Sequence, residues 1–298
     1  MTRTLPVLIA ALFAAGAALA APADRPPTPA AILAGAPAAD WRAVAAEDLL
    51  VLDFVNGRRV VIQLAGASSP VHVANIRAMA RAHYYDGLVI ERVQDGYVTQ
   101  WGDPGGKKPL PAGVAQPAPA EYDRPAAGLK LDVLPYPDTY APKVGFVDGW
   151  PTAMGEGQAW ITHCYGMVGV GRDLLPDTGT GAELYAVIGQ SPRQLDRNLA
   201  VVGRVLEGMD LLTALPRGTD EMGFYEDVKL RLAIAQARIA ADMPEAARPR
   251  FEILKTDSGA FKALVQFKAN RQDVFFLRPA KALDICNALP PVRKATAR

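Results

Sequence analysis

Two dense apolar runs near the start of the chain carry its clearest pattern. Leu49-Leu50-Val51-Leu52-Asp53-Phe54-Val55 and Arg58-Arg59-Val60-Val61-Ile62-Gln63-Leu64 flank Asn56-Gly57. Two strand-forming runs joined by Asn-Gly predict a β-hairpin with a type I′ turn. From Val71 to Ala82 the spacing becomes helical, with Val73, Ile76 and Ala80 on one side. A strand follows that carries Arg92 between Ile90 and Val93. Residues i and i+2 of a strand share a face, so Ile90 and Arg92 are expected to point the same way. Gln158 to Tyr165 predicts a further strand, Gly208–Leu215 a short helix and Ala233 to Ala241 another strand. Residues 244–298 form a C-terminal extension. Two alternating segments in it, Arg250–Lys255 and Phe261–Phe267, predict a small appended β unit or strand pair.

Two stretches break this rhythm. Residues 21–39 are rich in Ala and Pro without helical or strand period, and are expected to be a linker or tether. Residues 104–143 carry dense Pro and Gly and few apolar runs, which predicts a long surface loop insertion. With the residues up to regular structure it extends over about 104–157. Insertions of this length are often functional or mobile, and one reading makes it a lid.

Composition narrows the function. Lys and Arg number 32 against 31 Asp and Glu, a near-neutral balance that gives no reason to expect a nucleic-acid partner. The chain opens Met1-Thr2-Arg3, runs apolar from Leu5 to Leu19 and reaches Ala18-Leu19-Ala20. A cationic start, a short apolar stretch and an Ala-x-Ala end predict a secretory signal over residues 1–20; an uncleaved anchor is the other reading. No second stretch approaches the ~20 apolar residues that span a bilayer, so no membrane association is expected after cleavage. The expected location is a bacterial periplasm. Two cysteines, Cys164 and Cys286, allow one disulfide in such a compartment, or two buried thiols.

An arginine set among apolar and aromatic residues can recognise a neutral amide, or can be an edge-strand residue with its head in water. Its neighbours decide between these. Tyr85, Gly87, Arg92, Val93, Gly96, Gln100, Gly102 and Asp103 fall without a gap on the core motif of cyclophilins, with Tyr97 in place of a phenylalanine. Pro70-Val71-His72-Val73-Ala74-Asn75-Ile76 resembles that family's entry to its first helix. Leu195-Asp196 and Val202-Gly203-Arg204-Val205-Leu206-Glu207-Gly208-Met209-Asp210 resemble two later segments. The blocks lie in family order over about residues 47–241.

The resemblance implies a mainly β protein: a cyclophilin-like closed antiparallel β-barrel with flanking helices over residues 40–243, with the long loop insertion and the C-terminal β extension added. It implies a peptidyl-prolyl cis–trans isomerase without cofactor or metal, acting on proline-containing segments of exported proteins. Arg92 matches the catalytic arginine, Gln100 the groove glutamine, Tyr97 and Val98 pocket positions, and Leu195 the pocket leucine. Departures lie on the far side. Glu183-Leu184-Tyr185 stands where Gln-Phe-Phe is common, Gly171-Arg172 replaces Ala-Asn, and Gln194 and Leu199 fall on the groove tryptophan and histidine. Tyr185 can still wall a proline pocket. Glu183 could pair with Arg92, orienting or quenching it, and Arg172 could favour acidic peptides or be a solvated loop residue. The alternative function is a catalytically weak cyclophilin-like peptide-binding module or chaperone.

Other patterns carry less. Gly169-Val170-Gly171 and Gly179-Thr180-Gly181 lack the third glycine of a dinucleotide loop. His72, His83 and His163 have no metal-like spacing. Asp220-Glu221 and the charges of 226–231 are read as a solvated face.

Overall fold

The computed structural model describes residues 27–103, 105–272 and 275–295. The signal expected over 1–20 lies outside them. Helix α1 (Pro29–Ala34) and strand β1 (Trp41–Ala43) precede the hairpin of β2 (Leu49–Phe54) and β3 (Arg59–Leu64). Helix α2 (Pro70–Arg81), β4 (Val89–Val93) and β5 (Val98–Gly102) follow. Next come β6 (Arg124–Pro125), β7 (Asp132–Val133), β8 (Lys143–Val147), β9 (Trp150–Gly155) and β10 (Gln158–Ile161). The chain continues with β11 (Met167–Val170), β12 (Leu184–Val187), β13 (Val201–Glu207), α3 (Met209–Ala214) and β14 (Ile234–Ile239). Strand β15 (Phe251–Leu254), α4 (Gly259–Ala269) and β16 (Val292–Lys294) end it. Among the described residues no helix is long and apolar enough to cross a membrane.

Eight strands form one antiparallel sheet in the order β14-β2-β3-β13-β11-β12-β5-β4. Its edges meet through Ile90 N–H to the Leu232 carbonyl (2.9 Å) and Ile234 N–H to the Leu88 carbonyl (2.8 Å), so the sheet is a nearly closed barrel. Alternate residues point inward: Leu50, Leu52, Val60, Ile62, Trp101, Val168 and Ile234 share the core with Val73, Ile76 and Met79 of α2. Leu49, Val51 and Val61 face outward, yet are buried under Ala240 and Phe251. Cover on both faces is why β2 and β3 read as continuous apolar runs.

The hairpin turn differs from the expected type I′. Gly57 has φ +79°, Asn56 is not left-handed, and Gly57 N–H donates to the Phe54 carbonyl at 2.9 Å. Phe54 N–H then bonds the Arg58 carbonyl at 2.9 Å, the pattern of a three-residue loop with one left-handed glycine. The register Asp53↔Arg59 explains the choice. It brings the two side chains together, with Arg59 Nε donating to Asp53 Oδ1 at 2.6 Å.

The three segments outside the barrel prove to be one unit. Residues 124–161 hold a five-stranded sheet, β6-β10-β9-β8-β7; a surface loop was expected up to about residue 157, and only β10 falls on the strand expected from Gln158. Phe146, Val144 and Trp160 of that sheet pack with Trp41 and with Phe261, Leu264, Val265 and Ile285 of the C-terminal extension. Ile32 and Leu33 of α1 join them, so Pro29–Ala34 is a docked helix rather than part of a tether. Thr28 caps it, its hydroxyl accepting from Ala31 N–H.

Helix α4 corrects the second expected strand. Phe261, Leu264, Val265 and Ala269 are buried, at helical spacing, and the Ser258 hydroxyl accepts from Phe261 N–H as an N-cap. The short apolar run fits both periods, and the cap with the apolar second layer selected the helix. Strand β15 pairs with β1 and β16. A disulfide joins Cys164, beside the barrel, to Cys286 of the extension.

Candidate functional site

A groove of about 800 Å³ runs along the outer face of β4, β5 and β12. Its face is set by a β-bulge. Ile90 pairs with Trp101 while Arg92 pairs with Gln100, so Glu91 is the extra residue. Ile90 therefore lies in the barrel core with Trp101, and Arg92 lies with Gln100 on the groove side. The expectation that Ile90 and Arg92 share a face is overturned by this one-residue change of phase.

Three protein groups hold the Arg92 guanidinium. Nε donates to the Met222 carbonyl (2.6 Å), Nη1 to Gln100 Oε1 (3.1 Å) and Nη2 to Gln94 Oε1. Two of its five N–H groups are thereby left for another acceptor. The rings of Phe224 and Tyr97 lie 5.3 and 5.8 Å from its central carbon. Burial pulls its pKa below the ordinary arginine value, opposed by Tyr97, Asp220 and Glu91.

Gln100 links Arg92 to Glu183. Its Nε2 donates to Glu183 Oε2 at 2.9 Å, so its oxygen is turned toward the arginine. Glu183 makes no ion pair with Arg92: it orients the amide that Arg92 touches. Burial raises the Glu183 pKa, the Gln100 bond opposes this, and Asp173, Asp103 and Asp177 add to it. Replacing Glu183 by Ala is expected to lower peptide turnover about three- to tenfold, the worth of one charged hydrogen bond partly replaced by water. Glu183→Gln keeps an acceptor for Gln100 and should stay within about twofold of wild type. Equal turnover in all three proteins, measured side by side, would sink the orienting role.

The apolar half is a cluster of Val98, Tyr185 and Val187 with Tyr97 and Leu199, and Leu195 lines the same groove. Tyr185 can lie across β11 because residue 169 is glycine: a Cβ there would meet the Tyr185 hydroxyl at 2.2 Å. That hydroxyl contacts His163 Nε2 at 3.0 Å, and His163 Nδ1 contacts Asp196 Oδ1 at 3.0 Å. Burial opposes ionisation of Asp196, but its bonds to His163 and Arg193 win and hold its carboxyl below the usual range. The ionised carboxylate accepts from Nδ1, which in the neutral imidazole leaves Nε2 to accept from Tyr185. Arg193 carries the chain on to Asp138 (3.0 Å) in the second layer.

All nine site residues expected from sequence line this groove: Arg92, Tyr97, Val98, Gln100, Arg172, Glu183, Tyr185, Leu195 and Leu199. Arg172 is spent on backbone, donating to the Asn198 carbonyl (3.1 Å) and the Asp173 carbonyl (2.7 Å). Gln194 does not line the groove; its carbonyl accepts from Asn198 at 3.2 Å.

Other groove residues escaped the sequence reading. Phe224 and Met222 come from the loop before β14 and reach Arg92 through an isolated bridge, Arg92↔Phe224. Asp220 shapes that loop, its Oδ1 accepting from Met222 and Phe224 N–H at 2.9 and 2.7 Å, so it is a turn-former rather than part of a solvated face. An aromatic residue directly after Gly223 was the signal available. One wall is supplied by the start of the insertion, including Lys108, Leu110 and Gln116. Asn75 holds it through the Ala115 backbone at 2.8 and 3.0 Å, and Lys108 Nζ holds it on the carbonyls of Tyr84 (2.5 Å) and Asp86 (2.9 Å). Glu121 anchors its far end, accepting from Val71 and His72 N–H at 2.9 and 3.0 Å. Among the described residues no group of three or more His, Cys, Asp or Glu is placed to hold a metal ion.

Behind Arg92, Glu91 is 4% exposed and its Oε1 has no hydrogen-bond partner. Burial first, then Glu183 and Asp103, push its pKa up to about 7, against Arg231 and Arg92. A raised carboxyl pKa contributes stability that is full below about 4.5 and lost as pH rises through about 7. Glu91→Gln should therefore remove about 3 kcal/mol of pH-dependent destabilisation. Urea unfolding at pH 5 and pH 8 checks it. A variant that falls in stability with pH as steeply as wild type would rule Glu91 out as the source.

The sequence matches the family model described as cyclophilin type peptidyl-prolyl cis-trans isomerase/CLD over residues 51–238. Among solved structures the chain is similar to the cyclophilin AquaCyp293 from Hirschia baltica, at 23% identity and a TM-score of 0.66. That likeness covers 87% of this chain and 94% of the other, so it reaches past residues 51–238 into the second layer. A Cryptosporidium parvum cyclophilin type peptidyl-prolyl cis-trans isomerase, crystallised in the presence of the dipeptide Ala-Pro, is 15% identical at a TM-score of 0.40. It covers 64% of this chain and 98% of that one. No curated protein matches the chain.

Proposed function

This chain belongs to the cyclophilin-type peptidyl-prolyl cis–trans isomerase family, and from that premise we propose that it isomerises Xaa-Pro bonds in exported proteins, with Arg92 polarising the prolyl amide. The observation that carries the reading is the Arg92–Gln100 pair beside the Val98, Tyr185, Leu195 and Leu199 surface in one open groove.

An Xaa-Pro bond crosses a barrier of ~18–20 kcal/mol because amide resonance resists twisting. No nucleophile or metal is needed to lower it. The apolar surface takes the proline ring. A free N–H of Arg92 donates toward the prolyl nitrogen as it becomes pyramidal, which favours the twisted state over the planar one. The amide dipole of Gln100 and the shelter of Phe224 and Tyr97 keep that donor aimed. A second reading, a peptide-binding module with weak turnover, draws on the three protein bonds that already engage Arg92.

Export is supported by the Ala18-Leu19-Ala20 pattern and by the disulfide, a bond that persists in oxidising compartments. N-terminal sequencing of the protein recovered from a periplasmic fraction, starting at Ala21 or at Met1, decides that part. For the activity, a panel of short Xaa-Pro peptides is followed by the relaxation of their cis fraction. Acceleration over the uncatalysed rate supports the isomerase. Peptide binding without acceleration supports the module.

A further inference from the structure

A second cleft, of about 400 Å³, lies away from the groove where the barrel meets the second layer. Each wall brings an arginine to it: Arg42 from β1, Arg77 from α2 and Arg124 from β6. A fourth, Arg204 of β13, lies behind two residues that line the cleft. Its Nε donates to Gln63 Oε1 at 2.8 Å, and its guanidinium stacks on Trp150 at 4.5 Å. Arg204 is 5% exposed, and its Nη2 has no partner.

Two carboxylate residues, Asp48 and Asp148, line the cleft beside the three arginines, so cations outnumber acids there. Of the four, Arg77 alone has carboxylate partners within 4 Å among the described residues, Asp48 at 2.6 Å and Glu47 at 3.7 Å. Arg42 donates to the Asp148 carbonyl (2.7 Å), Arg124 to the Ala67 carbonyl (2.7 Å) and Arg204 to the Gly149 carbonyl (2.9 Å). Neutral carbonyls satisfy single N–H groups but leave the charges uncompensated. Burial and the charge of Arg42 together pull the Arg204 pKa down to about 9, the response of a cation short of an anion.

We propose that this cleft binds a phosphate-bearing small molecule. Guanidinium forks match the oxygen spacing of phosphate. A space of this size falls in the range of small-ligand sites and exceeds a bare phosphate ion, so the class is a phosphate monoester carrying a small organic group. The ligand would bridge β1, α2 and β6 and so tie the second layer to the barrel.

Isothermal titration of the full mature protein with inorganic phosphate and with glycerol 3-phosphate, at constant ionic strength in chloride, tests the site. The expected result is one equivalent per chain, with the ester binding more tightly. The Arg42→Gln/Arg124→Gln protein should bind about tenfold more weakly or worse, while Arg124→Lys, which keeps the charge, retains measurable binding. Unchanged circular dichroism and prolyl turnover show that the variants are folded, since neither residue lines the groove. No heat from either probe, or undiminished binding in the folded double variant, would overturn the proposal.

Discussion

Arg92→Ala should lower kcat for Xaa-Pro isomerisation by about a hundredfold, with a much smaller change in KM. A hydrogen bond from a charged donor is worth ~1.5–3 kcal/mol, and each 1.36 kcal/mol of barrier is about tenfold in rate. No other cation of the groove can take over. Neither Lys108, held on the carbonyls of Tyr84 and Asp86, nor Arg172, held on those of Asn198 and Asp173, hydrogen-bonds Gln100, the amide that aims the Arg92 donor. The proline pocket of Val98, Tyr185 and Leu199 is not part of the Arg92 contact set, so ground-state binding should survive. Arg92→Lys should rescue little, because an ammonium cannot meet Met222, Gln94 and Gln100 with a planar fork and still present a donor to the groove. Wild-type turnover in Arg92→Ala, under conditions where the wild type accelerates the reaction, would remove Arg92 from the mechanism.

Loss of the disulfide should have the largest effect on stability. The bond closes 122 residues of chain, and the chain-entropy model assigns a loop of that length about 4–5 kcal/mol. It also fixes the segment that carries Ile285 and Ala288 into the second core. Its loss therefore loosens the extension on the insertion sheet as well as enlarging the unfolded ensemble. The Cys164→Ser/Cys286→Ser protein should unfold in urea at a clearly lower midpoint. A loss of less than about 1 kcal/mol would mean that the apolar contacts of Phe261, Leu264 and Ile285 hold the second layer without the covalent tie.

Much of the site was legible beforehand because its residues sit on short local motifs. Arg92, Tyr97, Val98 and Gln100 fall within nine consecutive positions, and one hairpin of the barrel carries them. The role of Glu183 was not legible in that way. It lies 83 residues from Gln100 in sequence, and only the β5–β12 pairing of Tyr185 with Gln100 brings the two side chains together. Met222 and Phe224 were missed for a similar reason. Their loop has little periodicity of its own, and its shape comes from Asp220 and from the bridge to β4.

By itself the sequence determined the β2–β3 hairpin, helices α2 and α3, the strand of Arg92 and strand β14, together with the run of pocket residues and the order in which they occur. Apolar periodicity acts within a few residues, and one chain displays it directly. Tertiary structure decided the rest. A single bulge at Glu91 placed Arg92 on the groove face rather than beside Ile90, since strand alternation changes phase with one extra residue. Helix α1, the sheet of residues 124–161 and the C-terminal extension became one layer because their apolar side chains share a core around Trp41, Phe146 and Phe261. In that setting Phe261–Phe267 became helical, its buried face defined by a core assembled from distant parts of the chain.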